Sequence, residues 1–388
     1  MSQVWNRTVH ALDHDYSAAF TLGAGVCGAL VWSALSSKSY RHAMDYTWSA
    51  RQINLSPLNS AHGFVISGLM TIFFFAIGLE LAREINDGYF TRISRAVAPV
   101  LGALGGMALT AVLSVAIGNV TSTAALRHGW GVPMATDIAF ALGALALAGR
   151  GLPPTLRLFL LTLAVADDVF SVVILAGTGV SHLRPLGLGF IVVATLVTWR
   201  CSRRFRSTPW RLEVLALLWL CFVFARVEPP LAGVLAGLVV PFERATGLLE
   251  MHVRRWSTGL VLPLFALVSC GIQWTKLSGH TATTIVGATI VIRIVGKVIG
   301  VSAGAALARR LGYPCDPSLT RRLLVTSSLL CAVGFTLPLL FAGALYGRAS
   351  TTYGAFTVGL LISSLIAAIL GVTLLRRQAR SLRARGNV

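Results

Sequence analysis

The sequence predicts an all-α polytopic membrane protein with about 12 transmembrane helices. Of its 388 residues, 55% are hydrophobic and only 12% carry a charge, and the mean hydropathy is +0.75. Soluble globular proteins carry about 25% charged residues, and disordered chains are far less hydrophobic than this one. Both classes are therefore excluded, which leaves apolar helices joined by short polar loops.

Apolar runs bounded by charges or by Gly and Pro define the predicted helices. They cover residues 17–36, 61–82, 96–118, 128–148, 154–178, 186–200, 212–226, 229–242, 256–275, 284–308, 321–346 and 355–376. The run 229–242 is shorter than the roughly 20 residues that a straight crossing needs. In the longest connection, 37–60, a β-hairpin over 46–55 and an irregular loop are equally good interpretations.

The Lys and Arg residues predict that both termini are cytoplasmic. An even number of crossings puts the two termini on one side, and most of the 33 Lys and Arg residues then fall in the connections on that side. Cytoplasmic loops of membrane proteins carry such an excess. The net charge of +19 is therefore explained by topology, and nucleic acid is not an expected partner.

Five ionisable side chains interrupt the apolar runs. They are Asp137, Asp167, Asp168, Arg293 and Lys297. Ionisable groups within a bilayer cost several kcal/mol each, so they are candidates for function. This small set is the predicted chemical centre of the protein.

Asp167 and Asp168 lie in the middle of one predicted helix. Neighbours on a helix differ by about 100° and 1.5 Å, so both carboxylates can face one aqueous cavity. Two carboxylates this close are not both ionised without cost. A pair that shares protons and an alkali cation such as Na⁺ is suited to exchanging H⁺ for that cation. The alternative is a buried acid paired with a base for packing alone.

Lys297 lies in the apolar stretch VIRIVGKVIGVS. A lone buried lysine becomes neutral, whereas beside a carboxylate it stays charged. A Lys–Asp pair that opens when the aspartate binds a cation would release a proton. The alternative is a lysine whose ammonium group reaches the membrane interface.

Two predicted helices contain helix-breaking residues. Pro133 precedes Thr136 and Asp137 in the first, and Gly334 and Pro338 interrupt the second. A broken helix at membrane depth needs polar groups for its freed backbone atoms, and a carboxylate can offset the partial charge of a half-helix end. Asp137 is therefore expected to shape a cation site whether or not it binds the ion. The corresponding breaks indicate inverted repeats, over residues 96–178 and 284–376.

Seven stretches occur in the same order as in a known family of transporters. They are FFFAIGLELARE (73–84), GWGVPMATDIAFALGALAL (129–147), LFLLTLAVADDV (158–169), PPLAGVLAGLVVPFE (229–243), VLPLFAL (261–267), VGKVIGVS (295–302) and CAVGFTLP (331–338). On these residues the chain resembles the NhaA family of bacterial sodium/proton antiporters. The combination of ATDIAFALG with the ADD stretch is the most specific part of this resemblance.

The resemblance implies roles for particular residues. Asp167 and Asp168 match the aspartates that bind Na⁺ and exchange protons, and Lys297 matches the lysine that pairs with the first of them. Thr136, Asp137 and Gly334 match the crossing of two broken helices. Charged residues linked to pH regulation at a cytoplasmic funnel are matched by Glu80, Arg83, Glu84 and Glu250, with His252 close by. The family also implies electrogenic exchange and a homodimer joined partly by a hairpin in the outer loop.

The chain departs from the family pattern at several positions. Ile66-Ser67 replace an Asn-Asp pair, and Met251 replaces a histidine. After the paired aspartates the family usually has Leu-Gly-Ala, whereas Val169-Phe170-Ser171 stand here. Glu228 and Arg293 are both unexpected, and an ion pair between them is one hypothesis. Two independent charges are the alternative.

The predicted function is secondary active Na⁺(Li⁺)/H⁺ antiport, regulated by pH, in the bacterial cytoplasmic membrane. The chain is expected to form one integral membrane domain over 1–388, with a basic cytoplasmic tail over 377–388. Expected partners are Na⁺, Li⁺, H⁺, the lipid bilayer and a second copy of the chain. The six cysteines form no CxxC pair or Cys/His cluster, so no cofactor is expected.

Two other functions are open at this point. One is a sodium-coupled symporter of a small organic solute on the same fold. The other is an intramembrane aspartyl protease that uses Asp137 with Asp167 or Asp168, although the sequence has no GxGD-like segment and Lys297 would be unexplained. The antiporter interpretation, which is not enzymatic, accounts for more of the intramembrane charges.

Overall fold

The computed structural model describes residues 20–48, 56–86, 93–149, 151–178, 185–202, 208–239, 251–274, 277, 279–313 and 315–384. Across these residues the regular structure is helical, apart from one isolated antiparallel bridge between Thr47 and Ser60. The all-α prediction is therefore confirmed. Five of the described helices are long and apolar enough to cross a membrane, or six if one bent pair counts as a span, so about 12 crossings stays a prediction.

The principal helices follow the predicted apolar runs. They are α1 Phe20–Leu35, α2 Ser37–Asp45, α3 Met70–Asn86, α4 Ile93–Val120, α5 Ala124–His128, α6 Ile138–Ala148, α7 Pro154–Thr178, α8 Pro185–Ser202, α9 Thr208–Ala225, α10 Leu231–Val239, α11 Leu262–Ser269, α12 His280–Arg310, α13 Arg321–Leu330, α14 Thr336–Tyr346 and α15 Thr351–Ala384. Helix α3 is preceded by Ala61–Gly63 and π-helical Phe64–Leu69, and α11 by π-helical Ser257–Val261.

Helix α2 lies in the connection that the sequence analysis treated as a loop. The Ser36 side chain accepts a hydrogen bond from the Ser39 N–H at 3.2 Å and caps the helix start, as serine commonly does. Tyr40 and Met44, four residues apart, are both buried. The Tyr40 hydroxyl donates to the Leu267 carbonyl at 2.7 Å. The loop interpretation of 37–45 was therefore wrong, because few apolar residues are needed to bury one face of a short helix.

Two further differences concern chain ends and turns. Trp48 N–H donates to the Asn59 carbonyl at 3.0 Å, next to the Thr47–Ser60 bridge, while 49–55 lie outside the described residues. The choice between a hairpin and an irregular loop over 46–55 therefore stays open, since Ser60 lies beyond that segment. Helix α15 continues to Ala384, well beyond the predicted end at 376, because the Arg-, Gln- and Ala-rich segment after the apolar run has high helix propensity.

The chain divides into two compact units. The first comprises Met1–Thr21, Arg92–Ser171 and Ile272–Val388, and the second comprises Leu22–Thr91 and Val172–Gly271. The inverted-repeat relationship between 96–178 and 284–376 stays a prediction.

In the first unit, α4 and α12 pack closely through small residues. A Cβ atom on Gly300 would overlap the Gly105 carbonyl oxygen, and one on Gly304 would overlap the Leu101 carbonyl oxygen. Small residues at this spacing let the backbones of membrane helices approach each other. Because Lys297 lies on the same helix, this contact positions the backbone that carries it.

In the second unit, α3 and α10 make a similar contact. A Cβ atom on Gly233 would overlap the Thr71 carbonyl oxygen, and Gly237 lies directly against Gly78. This packing holds α3, which carries Glu80 two residues after Gly78.

Candidate functional site

Two broken helices meet in the first unit. The helix preceding the first break ends at His128 and α6 begins at Ile138, while α13 ends at Leu330 and α14 begins at Thr336. The two non-helical segments lie side by side, since the Asp137 N–H donates to the Val333 carbonyl at 2.9 Å. Pro133 lies in the first break, as predicted. Pro338 instead lies in the first turn of α14, where its missing N–H is tolerated.

One carboxylate serves the start of both half-helices. Asp137 Oδ1 accepts from the Phe140 N–H at 3.3 Å, and Oδ2 accepts from the Thr336 N–H at 3.4 Å. The Thr336 hydroxyl also contacts Oδ2. Helix N-termini carry unsatisfied N–H groups and a partial positive charge, and Asp137, which is only 5% exposed, offsets both at once.

One guanidinium serves the carbonyls of both breaks. Arg293 is completely buried on α12 and donates to the Pro133 carbonyl at 3.2 Å, the Ala135 carbonyl at 3.2 Å and the Ala332 carbonyl at 2.9 Å. These are backbone acceptors of the kind that a broken membrane helix leaves unsatisfied. A Cβ atom on Gly334 would overlap both this guanidinium and the Ala135 carbonyl oxygen, so the break requires glycine there.

The hypothesis of an ion pair between Arg293 and Glu228 gains no support, because the contacts observed for Arg293 are of another kind. The Arg293 guanidinium is directed at the backbone of the two breaks, and the described ion pairs do not include one with Glu228. The planar fork of arginine matches several carbonyl oxygens at once, and this arrangement gives the buried charge its compensation.

Lys297 and Asp167 form a buried ion pair. The distance from Lys297 Nζ to Asp167 Oδ1 is 2.8 Å, and both side chains are 0% exposed. The other carboxylate oxygen, Oδ2, accepts from the Thr136 N–H at 2.6 Å. Thr136 is held in turn by its hydroxyl, which donates to the Cys331 carbonyl at 2.8 Å. The pair therefore joins α7, α12 and the first break.

Asp168 and Ser171 complete the polar face of α7. Asp168 is 3% exposed and Ser171 is 0% exposed. The Ser171 hydroxyl is buried without a hydrogen-bond partner in the part of the chain that the structure describes. Carboxylate and hydroxyl oxygens are ligands for hard cations, so this face can bind an alkali cation as well as protons.

A second charged cluster lies in the second unit. Glu80 Oε1 lies 3.7 Å from Arg83 on the same helix and 3.4 Å from Arg254. Glu80 is 8% exposed, so its charge is offset by two half-buried guanidinium groups. Arg254 was not among the predicted regulatory residues, because it lies about 170 residues away in sequence from its partner.

Of the other predicted regulatory residues, only His252 has a described side chain. The side chain of Glu84 and the whole of Glu250 lie outside the described residues. His252 is exposed on the helical segment 251–256. Their predicted regulatory roles stay predictions.

Comparison with known proteins identifies the family. The family model described as Na+/H+ antiporter 1 matches residues 10–375. The chain belongs to this family of sodium/proton antiporters. It is 35% identical to the Na(+)/H(+) antiporter NhaA 2 of Novosphingobium aromaticivorans over 361 residues, which cover 91% of this chain and 89% of that protein.

Other relatives carry the same name. The Na(+)/H(+) antiporter NhaA of Frankia casuarinae is 37% identical over 365 residues, covering 89% of this chain and 80% of the relative. That of Mesorhizobium japonicum is 37% identical over 337 residues, covering 83% of each chain. Members of the antiporter family are integral membrane transporters and not enzymes, so the comparisons support antiport over the protease and symporter alternatives.

Within this antiporter chain, sequence reasoning missed the function of Arg293 and the part played by Thr336. Arg293 had one visible signal, since it lies one helical turn before Lys297 and therefore shares its face. Thr336 had none, because a threonine at a helix start is common in any protein.

Proposed function

We propose that this protein exports Na⁺, and also Li⁺, in exchange for protons across the bacterial cytoplasmic membrane, with both termini cytoplasmic. The observation that carries the proposal is the fully buried Lys297–Asp167 pair, 2.8 Å apart, with a second buried carboxylate at the adjacent residue, Asp168. Burying an ion pair costs desolvation free energy and adds little net stability, so a pair at this depth is a candidate for function.

The geometry supports a simple exchange of charge. When Na⁺ binds the carboxylates of Asp167 and Asp168, Asp168 gives up its proton to water, and Na⁺ takes the place of the Lys297 ammonium as the counter-charge of Asp167. A buried ammonium without a counter-charge is unfavourable, so Lys297 gives its proton to water. When protons return, the lysine pairs with Asp167 again and the cation leaves. One site can thus hold Na⁺ or protons, but not both at full occupancy.

Three residues around the ion pair hold the backbone of the broken helices in place during this exchange. The Thr136 N–H holds Asp167 Oδ2 at 2.6 Å, while Asp137 and Arg293 offset the helix ends at the breaks. We assign Thr136, Asp137 and Gly334 to the support of the broken helices. The Asp167–Lys297 pair can then open while the two broken segments keep their hydrogen bonds to each other.

The proposal extends to regulation and assembly. Electrogenic exchange and a homodimer in the lipid bilayer follow from the family resemblance. Regulation by pH is assigned to the cluster of Glu80 with Arg83, together with Glu84, Glu250 and His252. Glu80 lies in ion-pair contact with Arg83 and Arg254, and this cluster of charges is the observation that supports the assignment.

The test is proton flux in everted membrane vesicles. A fluorescent dye reports the acid interior, and addition of Na⁺ is expected to release that proton gradient in vesicles carrying the wild-type protein. Asp168→Asn is expected to abolish the response, whereas Asp45→Asn, an exposed residue at the end of α2, is expected to leave it intact. Normal Na⁺-driven flux in Asp168→Asn would refute the assignment.

A further inference from the structure

Ser171 carries a hydroxyl that the exchange mechanism has not used. Its side chain is 0% exposed, and Oγ has no hydrogen-bond partner within the described residues. A buried hydroxyl that loses water without gaining a partner is unfavourable. Such a group indicates that the hydroxyl binds a ligand, gains a partner in another state of the protein, or does both.

The helix itself does not explain the missing partner. Serine and threonine within a helix usually donate to the carbonyl three or four residues earlier. On the same helix, Thr162 donates to the Leu158 carbonyl at 2.9 Å, and on α13 Ser328 donates to the Leu324 carbonyl at 2.8 Å. Ser171 makes no such bond, so its hydroxyl is available for something else.

The position of Ser171 on α7 indicates what that is. It follows Asp168 by three residues and Asp167 by four, and both spacings place side chains on one face. Helical side chains lean towards the N-terminus of their helix, so the hydroxyl is inclined towards the turn that carries the carboxylates. The rise from Asp168 to Ser171 is about 4.5 Å, a separation that one bound cation can bridge.

We propose that Ser171 Oγ is a ligand for the transported cation, together with the carboxylate of Asp168. This inference rests on the proposed antiport function and adds a binding residue to it. A neutral oxygen increases coordination without adding negative charge, so it favours the metal ion over the proton at this site.

The test compares variants of two buried serines that share the same anomaly. Ser257 Oγ is also buried without a partner but lies in the second unit, so Ser257→Ala is the matched control. Loss of an unpaired hydroxyl is expected to leave the melting temperature in detergent unchanged or higher in both alanine variants. Only Ser171→Ala is expected to raise the half-maximal Na⁺ concentration for flux, by about tenfold.

Ser171→Cys keeps the size of the side chain and removes the oxygen, and it is expected to show the same loss. An unchanged half-maximal Na⁺ concentration in Ser171→Ala and Ser171→Cys would overturn the inference. A lower melting temperature without Na⁺ in Ser171→Ala would also overturn it, because that result indicates a packing role.

A binding measurement separates this inference from the proposed function. Na⁺ is expected to raise the melting temperature of the wild-type protein, as any ligand of the native state does, and to do so less in Ser171→Ala. If the wild type gives no Na⁺-driven flux but this difference persists, antiport is refuted and the ligand assignment stands. If flux is normal and Na⁺ stabilises both proteins equally, the ligand assignment alone fails.

Discussion

At the scale of single residues, the properties of the protein depend on how each buried charge is compensated. Lys297 and Asp167 compensate each other, while Arg293 uses backbone carbonyls and Asp137 uses backbone N–H groups. In the proposed exchange, Na⁺ opens the first arrangement because it replaces the ammonium group as the counter-charge. The other two lie within the backbone crossing and have no such exchangeable partner.

Lys297→Met is expected to destabilise the protein, by about 3–5 kcal/mol, because it leaves Asp167 buried without its counter-charge. Asp167→Asn removes that charge, so the double variant is expected to lose less stability than the two single losses together. Thermal unfolding of the purified proteins in detergent measures this coupling. Strictly additive losses would show that the two side chains do not act as a pair.

The intramembrane acids and Lys297 could be found from the sequence, because a charge in an apolar run is conspicuous. Their partners were less accessible. The pairing of Asp167 with Lys297 came from the family resemblance, and the partners of Arg293 are carbonyl oxygens, which every residue carries and no sequence pattern marks. The carbonyl partners of Arg293 were therefore not predicted.

At the scale of secondary-structure elements, the two breaks are the distinctive feature. Each break exposes N–H and C=O groups in a part of the chain where water is scarce. Asp137, at the end of the first break, accepts from N–H groups of both following helices, and Arg293 on α12 donates to carbonyl oxygens of both breaks. Helix α12 passes beside both breaks, so the single side chain of Arg293 reaches carbonyl oxygens of each.

Arg293→Met is expected to lower the melting temperature strongly, since each buried carbonyl left unsatisfied costs about 1–3 kcal/mol. Arg293→Lys is expected to recover only part of the loss, because an ammonium group lacks the planar fork of arginine. Arg309→Met, at an exposed position in the last turn of the same helix, is the matched control. Equal melting temperatures for Arg293→Met and Arg309→Met would contradict the role given to Arg293.

The helices themselves were largely predictable, since long apolar runs leave few alternatives to α-helix. The errors lie where hydropathy carries no information. Helix α2 has a polar sequence and depends on a cap at Ser36, and α15 continues into basic residues because helix formation does not stop where hydrophobicity does. The position of Pro338 in the first turn of α14 was not predictable from residue type alone, because proline both interrupts helices and is tolerated in their first turn.

At the scale of the whole molecule, the charge distribution predicts the orientation in the membrane. The connection between α12 and α13 follows Arg309 and Arg310 and precedes Arg321, which predicts that it is cytoplasmic. Cys315 lies in this connection, half-buried, and provides a natural reporter of its location.

In a variant that retains only Cys315, a membrane-impermeant maleimide is expected to label everted vesicles and not intact cells. Burial raises the pKa of the Cys315 thiol, so less thiolate is present at neutral pH and labelling is expected to accelerate as the pH rises. Lys38→Cys in the cysteine-free protein, exposed on α2, is expected to give the opposite sidedness. Labelling of Cys315 in intact cells would contradict the predicted topology.

In the proposed exchange, Na⁺ and protons compete for the carboxylates beside Lys297. The most direct measurement is proton release from the purified protein in weakly buffered detergent solution when Na⁺ is added. The wild-type protein is expected to release protons in a saturable manner, and Asp168→Asn is expected to release few or none. Saturable Na⁺ binding without release of protons from the wild-type protein would contradict the account.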